Sequence, residues 1–132
     1  MFKKLIIFGM LVTSLFGGVR ELTDKNFEKA IARDIVVVEF WATWNEANKV
    51  SLLDKWADDT FDAKVYRLNI DLYPKVQADN NVVILPTLIF YVDGEEVKRL
   101  QGDMSFTLKV TAEELDKIIE VIMDEINQNK FN

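Results

Sequence analysis

The sequence contains no cysteine and no histidine, and it has only two prolines and five glycines. Without cysteine and histidine, the chain lacks the commonest ligands of zinc, iron–sulfur clusters and haem, so we expect no metal and no cofactor. The absence of cysteine also excludes disulfides and any chemistry that needs a thiolate. It does not indicate a redox compartment, because a chain without cysteine is stable in oxidising and reducing surroundings alike.

Basic residues are few relative to acidic ones, with 16 lysines and arginines against 22 acidic residues and a net charge of −6. Nucleic-acid binding requires clustered positive charge, so nucleic acid is not an expected partner. The 132 residues suffice for one domain with a single core, and 49% hydrophobic residues is typical of a globular chain. No exposed apolar stripe favours oligomerisation, so we expect a monomer.

The longest apolar run lies at the N-terminus, from Leu5 to Phe16, directly after two lysines. This run is short for a membrane span, which needs about 20 residues, and it fits a secretory signal. We therefore predict a signal peptide or short membrane anchor over residues 1–18, followed by one domain over residues 19–132. A buried N-terminal core helix is the alternative. The signal implies a secreted or bacterial periplasmic protein, with membrane contact only through residues 1–18 if they remain uncleaved.

Hydrophobic periodicity predicts alternating strands and helices in the rest of the chain. Four β-branched residues open a buried strand over residues 35–41, and Val50, Leu53 and Trp56 recur at helical spacing after it. Asp93-Gly94 is a hairpin turn signal, and Thr111 with Glu114 forms a capping box before the last helix. Strands are predicted over residues 19–22, 35–41, 64–71, 87–92 and 97–101, and helices over 26–31, 45–57, 74–78 and from Thr111 onward. This order predicts an α/β fold with a mixed sheet of four to five strands and helices on both faces.

The segment from Phe40 to Lys49 reads FWATWNEANK. It resembles the active-site segment of thioredoxins, F-W-A-x-W-C-x-x-C-K, with Asn45 and Asn48 in place of the two cysteines. Further matches at the family's spacing are RLNID at residues 67–71, the cis-proline loop ILPT at residues 84–87, and Gly102. The resemblance implies a thioredoxin fold over about residues 19–128. It leaves the stretch between Gly102 and Thr111 longer than in the family, and this stretch carries no prediction.

The resemblance also implies roles for the residues around the missing cysteines. Asn45 is interpreted as the N-cap of the helix, since asparagine is among the best capping residues. Asn48 needs hydrogen-bond partners, which we expect to be nearby backbone and Glu39 or water. Glu39 stands where the family has a buried acid, and Arg67 where it has a lysine that approaches this acid. Glu39 and Arg67 are interpreted as a buried ion pair or a hydrogen-bonded relic, and the alternative is a retained general acid/base.

A second implication of the resemblance is a groove that docks extended protein or peptide segments. Its backbone edge is exposed by a cis peptide bond before Pro86, and nothing in this docking needs sulfur. The family residues that form this surface correspond to Trp41, Trp44, Leu85, Pro86, Thr87 and Gly102. Trp56 is expected to pack in the core instead.

Three functions remain open at this point. The first is a redox-inactive domain that binds extended polypeptide through this groove. The second is a protein-disulfide oxidoreductase whose active-site cysteines have been substituted in this chain, so that the family is enzymatic while the catalytic dithiol is absent. The third, and the least supported, is a small structural domain that serves oligomerisation.

Overall fold

The computed structural model describes residues 19–130, and the predicted signal or anchor over residues 1–18 lies outside them. Within residues 19–130 there are five strands and four α-helices, with one 3-10 turn after the second strand and with the last two strands consecutive. In chain order the elements are β1 (Arg20–Leu22), α1 (Phe27–Ile31), β2 (Ile35–Trp41), the 3-10 turn (Glu46–Asn48), α2 (Asp54–Asp59), β3 (Lys64–Asn69), α3 (Pro74–Asp79), β4 (Thr87–Val92), β5 (Glu95–Gln101) and α4 (Ala112–Lys130).

The strands form one mixed sheet in the order β1-β3-β2-β4-β5. Strands β1, β2 and β3 pair in parallel, whereas β4 pairs antiparallel with both β2 and β5. The central strand β2 therefore has neighbours on both sides, which suits its continuous run of β-branched residues. The predicted mixed sheet is confirmed, and it has five strands.

Alternating side chains of β2 divide the core between the two faces of the sheet. Val36, Val38 and Phe40 pack on one face with α1 and α3. Ile35 and Val37 pack on the other face with α2 and α4. Because successive strand residues point to opposite faces, Glu39 belongs to the second face, among apolar side chains. The predicted helices on both faces are confirmed.

The predicted hairpin turn and the predicted capping box are both present in the second half of the chain. Asp93 and Gly94 both have positive φ, as a tight two-residue hairpin turn requires, and they join β4 to β5. Thr111 Oγ1 accepts a hydrogen bond from the Glu114 amide at 3.1 Å, and Glu114 Oε1 accepts one from the Thr111 amide at 3.4 Å. This reciprocal capping box starts α4 at the predicted position. Within residues 19–130, no helix is long and apolar enough to cross a membrane.

The helix predicted over residues 45–57 is wrong in its first half. The structure has a 3-10 turn at Glu46–Asn48, then non-helical chain, and α2 only from Asp54. The Arg67 guanidinium donates hydrogen bonds to the carbonyls of Asn48 and Lys49, which a continuous helix would use itself. The Leu53 amide in turn donates to the Ser51 hydroxyl at 3.0 Å. Side chains have taken over the backbone groups of one helical turn, so the helix is interrupted.

Candidate functional site

Asn45 and Asn48 lie together just beyond the end of β2. The Asn45 Nδ2 group donates a hydrogen bond to Asn48 Oδ1, and both side chains are buried. The same Nδ2 group donates to the carbonyl of Phe106, at 3.1 Å, from a segment 61 residues further along the chain. The two asparagines are therefore joined to each other and to the loop that follows β5.

The capping role predicted for Asn45 is wrong, and Glu39 is not the partner of Asn48. Asn45 is at the N-cap position of the 3-10 turn with extended backbone angles, but its side chain makes no capping hydrogen bond. The amide group is directed instead to Asn48 and to the distant Phe106 carbonyl. Among the described residues Asn48 makes no hydrogen bond to Glu39; its side-chain oxygen accepts from Asn45, and the Ser51 hydroxyl donates to Glu39 Oε1 at 2.5 Å.

The carboxylate of Glu39 is fully buried next to Arg67. Arg67 Nε lies 3.3 Å from Glu39 Oε1 and 3.6 Å from Glu21 Oε1, but its N–H is not aligned for a hydrogen bond with either. Glu39 Oε2 has no hydrogen-bond partner among the described residues. One guanidinium thus lies beside two carboxylates and can balance the charge of only one of them, and the expected buried ion pair is present without ideal geometry.

Burial controls the ionisation of both carboxyl groups. Loss of hydration raises the pKa of Glu39 above its ordinary value of 4.5, and the Ser51 hydrogen bond and the positive charge of Arg67 only partly oppose this rise. Burial likewise raises the pKa of Glu21, against a hydrogen bond from Trp41 and the charge of Arg67. The cluster therefore holds protons more tightly than free carboxyl groups would.

Arg67 connects this acidic cluster to the asparagine pair. Its guanidinium carbon lies 3.9 Å from the centroid of the Trp41 ring, within cation–π range. The Trp41 indole nitrogen donates to Glu21 Oε2 at 3.3 Å. Arg67 also donates to the backbone carbonyl of Asn48. Trp41, predicted to line the docking surface, is thus half-buried between Arg67 and Glu21.

A second group of predicted residues surrounds the Leu85–Pro86 peptide bond, which is cis. The Gly102 amide donates to the Pro86 carbonyl at 2.8 Å, and Thr87 Oγ1 donates to the Ile84 carbonyl. A Cβ on Gly102 would lie 2.6 Å from the Leu85 carbonyl oxygen, so only glycine fits there without displacement. The amide and carbonyl of Leu85 form no hydrogen bond with any described residue.

The segment Asp103–Thr107, here called the 103–107 loop, connects these two groups. The Asp103 carboxylate accepts hydrogen bonds from the Ser105 amide at 2.8 Å and from the Thr107 amide at 3.3 Å. These backbone donors hold the pKa of Asp103 below its usual value. Thr107 contributes a carbonyl that would lie 3.0 Å from a Cβ on Gly102, so this end of the loop lies beside Leu85.

Phe106 is the exceptional residue of this loop. Its φ of 59° lies in the left-handed region, which is a genuine outlier for a bulky side chain and costs on the order of 1–3 kcal/mol. Its ring meets the Trp44 ring edge-on, with centroids 5.3 Å apart. Trp44 is nevertheless 56% exposed and Met104, at the loop tip, is 95% exposed. The site therefore combines buried amides with an exposed apolar rim.

The predicted site residues thus form three groups. Two of them are connected by the 103–107 loop, and the third lies behind the first. Asn45, Asn48 and Trp44 meet at the 3-10 turn, and Leu85, Pro86, Thr87 and Gly102 meet at the cis peptide, with the 103–107 loop touching both. Glu39, Arg67 and Trp41 lie behind Asn48 and reach it through the arginine.

The sequence predictions missed Ser51 and Phe106. Ser51 occurs within an apparent amphipathic helix, where a serine is ordinarily a surface residue. Phe106 is a lone aromatic in a polar segment without periodicity, and that isolation was its only signal. Chemically, the site has hydrogen-bond donors and acceptors and one buried carboxylate, but no nucleophilic thiol. Among residues 19–130, no cluster of three or more acidic side chains is arranged to hold a metal ion.

Comparison with known protein sequences gives a consistent result. The profile of the family described as Thioredoxin matches residues 18–114. A thioredoxin of Staphylococcus haemolyticus is 37% identical over 86 residues, covering 62% of this chain and 82% of that protein. A thioredoxin of Listeria monocytogenes is 30% identical over 104 residues, covering 76% of this chain and 95% of that protein.

Solved structures agree at the level of the fold. A mutant thioredoxin from Halobacterium salinarum superposes with a TM-score of 0.63 at 20% identity, over 80% of this chain and 89% of that one. Mitochondrial thioredoxin 3 of Saccharomyces cerevisiae gives a TM-score of 0.62 at 23% identity, over 77% of this chain and 93% of that one. The predicted thioredoxin fold is confirmed.

Proposed function

Because this chain belongs to the thioredoxin family, we propose that it is a redox-inactive member that docks extended polypeptide segments without covalent chemistry. The observation that carries the proposal is the combination of a cysteine-free sequence with an unpaired backbone edge at Leu85. The partner is an extended protein or peptide segment, and the protein acts on it only by binding.

The absence of redox chemistry rests on the composition of the site. Thiol–disulfide exchange requires a thiolate that attacks a disulfide, and the chain has no cysteine anywhere. Asn45 and Asn48 are neutral amides that use their polar groups on each other and on Phe106. The buried Glu39 carboxylate could accept a proton, but no neighbouring thiol supplies one.

Docking is supported by the backbone groups of Leu85 beside Gly102, which have no hydrogen-bond partner among the described residues, although Leu85 as a whole is only 4% exposed. An extended segment can add to an unpaired backbone edge through main-chain hydrogen bonds, with its side chains in neighbouring pockets. The Leu85 amide and carbonyl are one donor and one acceptor for such main-chain hydrogen bonds. A backbone polar group without a partner favours binding of a ligand that forms a hydrogen bond with it. Trp44, more than half exposed across the site, adds an aromatic surface.

The reduction of insulin by dithiothreitol tests the redox part of this proposal. We expect the same rate of insulin precipitation with and without the protein, because nothing in the chain can form a mixed disulfide. A cysteine-containing thioredoxin in the same assay is the positive control. Acceleration above the dithiothreitol background would contradict the proposal.

A second function, a disulfide oxidoreductase with substituted cysteines, is favoured by one specific observation. The side chains of Asn45 and Asn48 are in direct contact, as those of a dithiol would be, with a buried carboxylate retained behind them. The double variant Asn45→Cys/Asn48→Cys separates the two functions. Strong insulin reduction would favour a silenced oxidoreductase, whereas a folded but inactive variant would favour a site adapted to binding alone.

A further inference from the structure

We propose that Phe106 is an internal substitute for a residue of the docked segment, and that the segment carries an aromatic side chain that displaces Phe106 from Trp44 and Asn45. This inference rests on the proposed docking function and specifies its partner. It concerns the 103–107 loop, which neither the family resemblance nor the comparisons assign a role.

Phe106 makes the two kinds of contact that a bound peptide residue would make. Its side chain meets the Trp44 ring edge-on, a favourable arrangement for two aromatic rings. Its backbone carbonyl accepts a hydrogen bond from Asn45 Nδ2 at 3.1 Å. The site is thus complementary to an aromatic residue with an accessible carbonyl, and Phe106 currently provides both.

The backbone of Phe106 makes this arrangement easy to displace. A φ of 59° is unfavourable for phenylalanine and persists only where neighbouring contacts enforce it. Here the enforcing contacts belong to Asp103, whose carboxylate holds the Ser105 and Thr107 amides and whose carbonyl accepts from the Phe106 amide at 3.0 Å. A ligand residue with ordinary extended angles would make the same two contacts without this strain.

The 103–107 loop lies between the Phe106–Trp44 contact and the unpaired backbone of Leu85. Thr107 and Leu85 both direct carbonyls at the same point beside Gly102, so the C-terminal end of the loop adjoins the docking edge. A segment that pairs with Leu85 and continues past Gly102 therefore meets Phe106 next. The docked chain and the loop compete for the surface of Trp44.

Charge further restricts the partner. The Asp103 carboxylate is exposed within the loop, and the backbone amides that it binds keep it ionised. The chain as a whole carries a net charge of −6. An acidic residue next to the aromatic one would be repelled, so the segment is expected to be flanked by neutral or basic residues.

Binding of a fluorescein-labelled heptapeptide to the full chain tests the proposal. The peptide has a central phenylalanine between β-branched residues and a lysine at each end, and a second peptide replaces the phenylalanine by alanine. We expect the phenylalanine peptide to bind about tenfold more tightly, the upper range for one aromatic pair. Equal binding of the two peptides would overturn the inference while leaving the docking function in place.

Variants of the loop provide the second half of the test. Phe106→Ala and Phe106→Gly remove the competing ring, and glycine keeps the left-handed backbone available. Both variants should bind the phenylalanine peptide up to about tenfold more tightly than the parent chain. Val121→Ala, on α4 and 46% exposed, removes an apolar side chain of similar exposure that is not part of the site; it is the matched control and should leave binding unchanged.

The remaining outcomes decide between the two proposals. Weaker binding by both Phe106 variants would overturn the inference, because it would mean that Phe106 contacts the ligand rather than competes with it. If neither peptide binds the parent chain or the variants, the docking function itself is contradicted. Thermal unfolding of each variant confirms that it is folded, since Phe106 lies at the surface and is 45% exposed.

Discussion

At the scale of single residues, Glu39 is the clearest conflict between charge and burial in this protein. Its side chain is fully buried, one of its oxygens has no hydrogen-bond partner among the described residues, and it shares Arg67 with Glu21. An ionised carboxylate in such a place has lost most of its hydration, which is why its pKa is raised. Compared with water, the surroundings shift this carboxyl group toward its protonated form.

The variant Glu39→Gln should reveal this conflict as a pH dependence of stability. The pKa of Glu39 is higher in the folded protein than the value of 4.5 expected in the unfolded chain. At a pH between these two pKa values, the folded state therefore binds more protons than the unfolded state. The contribution of Glu39 to the free energy of unfolding is therefore fully present below pH 4.5 and falls as the pH rises through the folded pKa. The stability difference between parent and variant should fall over the same range.

Urea denaturation at a series of pH values measures this difference. Glu46→Gln is the matched control, because it removes a carboxylate of the same size from a side chain that is 79% exposed. A parent-minus-variant difference for Glu39→Gln that stays constant, or that grows as the pH rises, would contradict the raised pKa.

The sequence predicted the environment of a single residue only where that residue differed in polarity from its neighbours. A glutamate within a β-branched strand predicted a buried acid, and the family resemblance indicated Arg67 as its partner. The capping role assigned to Asn45 followed from local propensity and failed, because its amide bonds to a carbonyl 61 residues away. No local pattern contains such a contact.

At the scale of elements, the interrupted helix between β2 and β3 is the feature that shapes the site. Arg67 binds the carbonyls of Asn48 and Lys49, and the Ser51 hydroxyl binds both Glu39 and the Leu53 amide. These contacts replace one turn of helix by a non-helical segment. A side chain on β3 therefore decides the path of the chain that carries the asparagine pair.

The variant Arg67→Met tests this dependence of the backbone on one side chain. It removes the partner of a buried carboxylate together with two hydrogen bonds to backbone carbonyls, so we expect a loss of about 3 kcal/mol in the free energy of unfolding. Urea denaturation gives the loss, with Arg33→Met, at an exposed position, as the control that should change little. A loss below about 1 kcal/mol would mean that the ion pair does not hold this segment.

Elements with a strong period were predictable, whereas this segment was not. The bounds of β2 and β4 agree with the predicted ones, because each is an apolar run that ends at a turn signal or a change of period. Val50, Leu53 and Trp56 also have helical spacing, yet Val50 is 75% exposed and precedes α2. The pattern could not show that a buried arginine would compete for the helical carbonyls.

At the scale of the whole molecule, the site arises where four separate parts of the chain converge. The 3-10 turn brings the asparagines, the cis peptide brings the unpaired backbone of Leu85, the end of β5 brings Gly102, and the 103–107 loop touches all three. The mixed sheet and the turns that produce this convergence were predictable from strand and helix patterns together with the family resemblance. The loop was not, since its sequence has no period and its conformation depends on Asp103.

Backbone amide NMR during titration with the phenylalanine heptapeptide tests the central claim, non-covalent docking at the Leu85 edge, most directly. The account predicts concentration-dependent shifts at Leu85 and Gly102 and at the Trp44 indole, with no change at the exposed face of α4. Shifts confined to other surfaces, or none at peptide concentrations in the millimolar range, would contradict it.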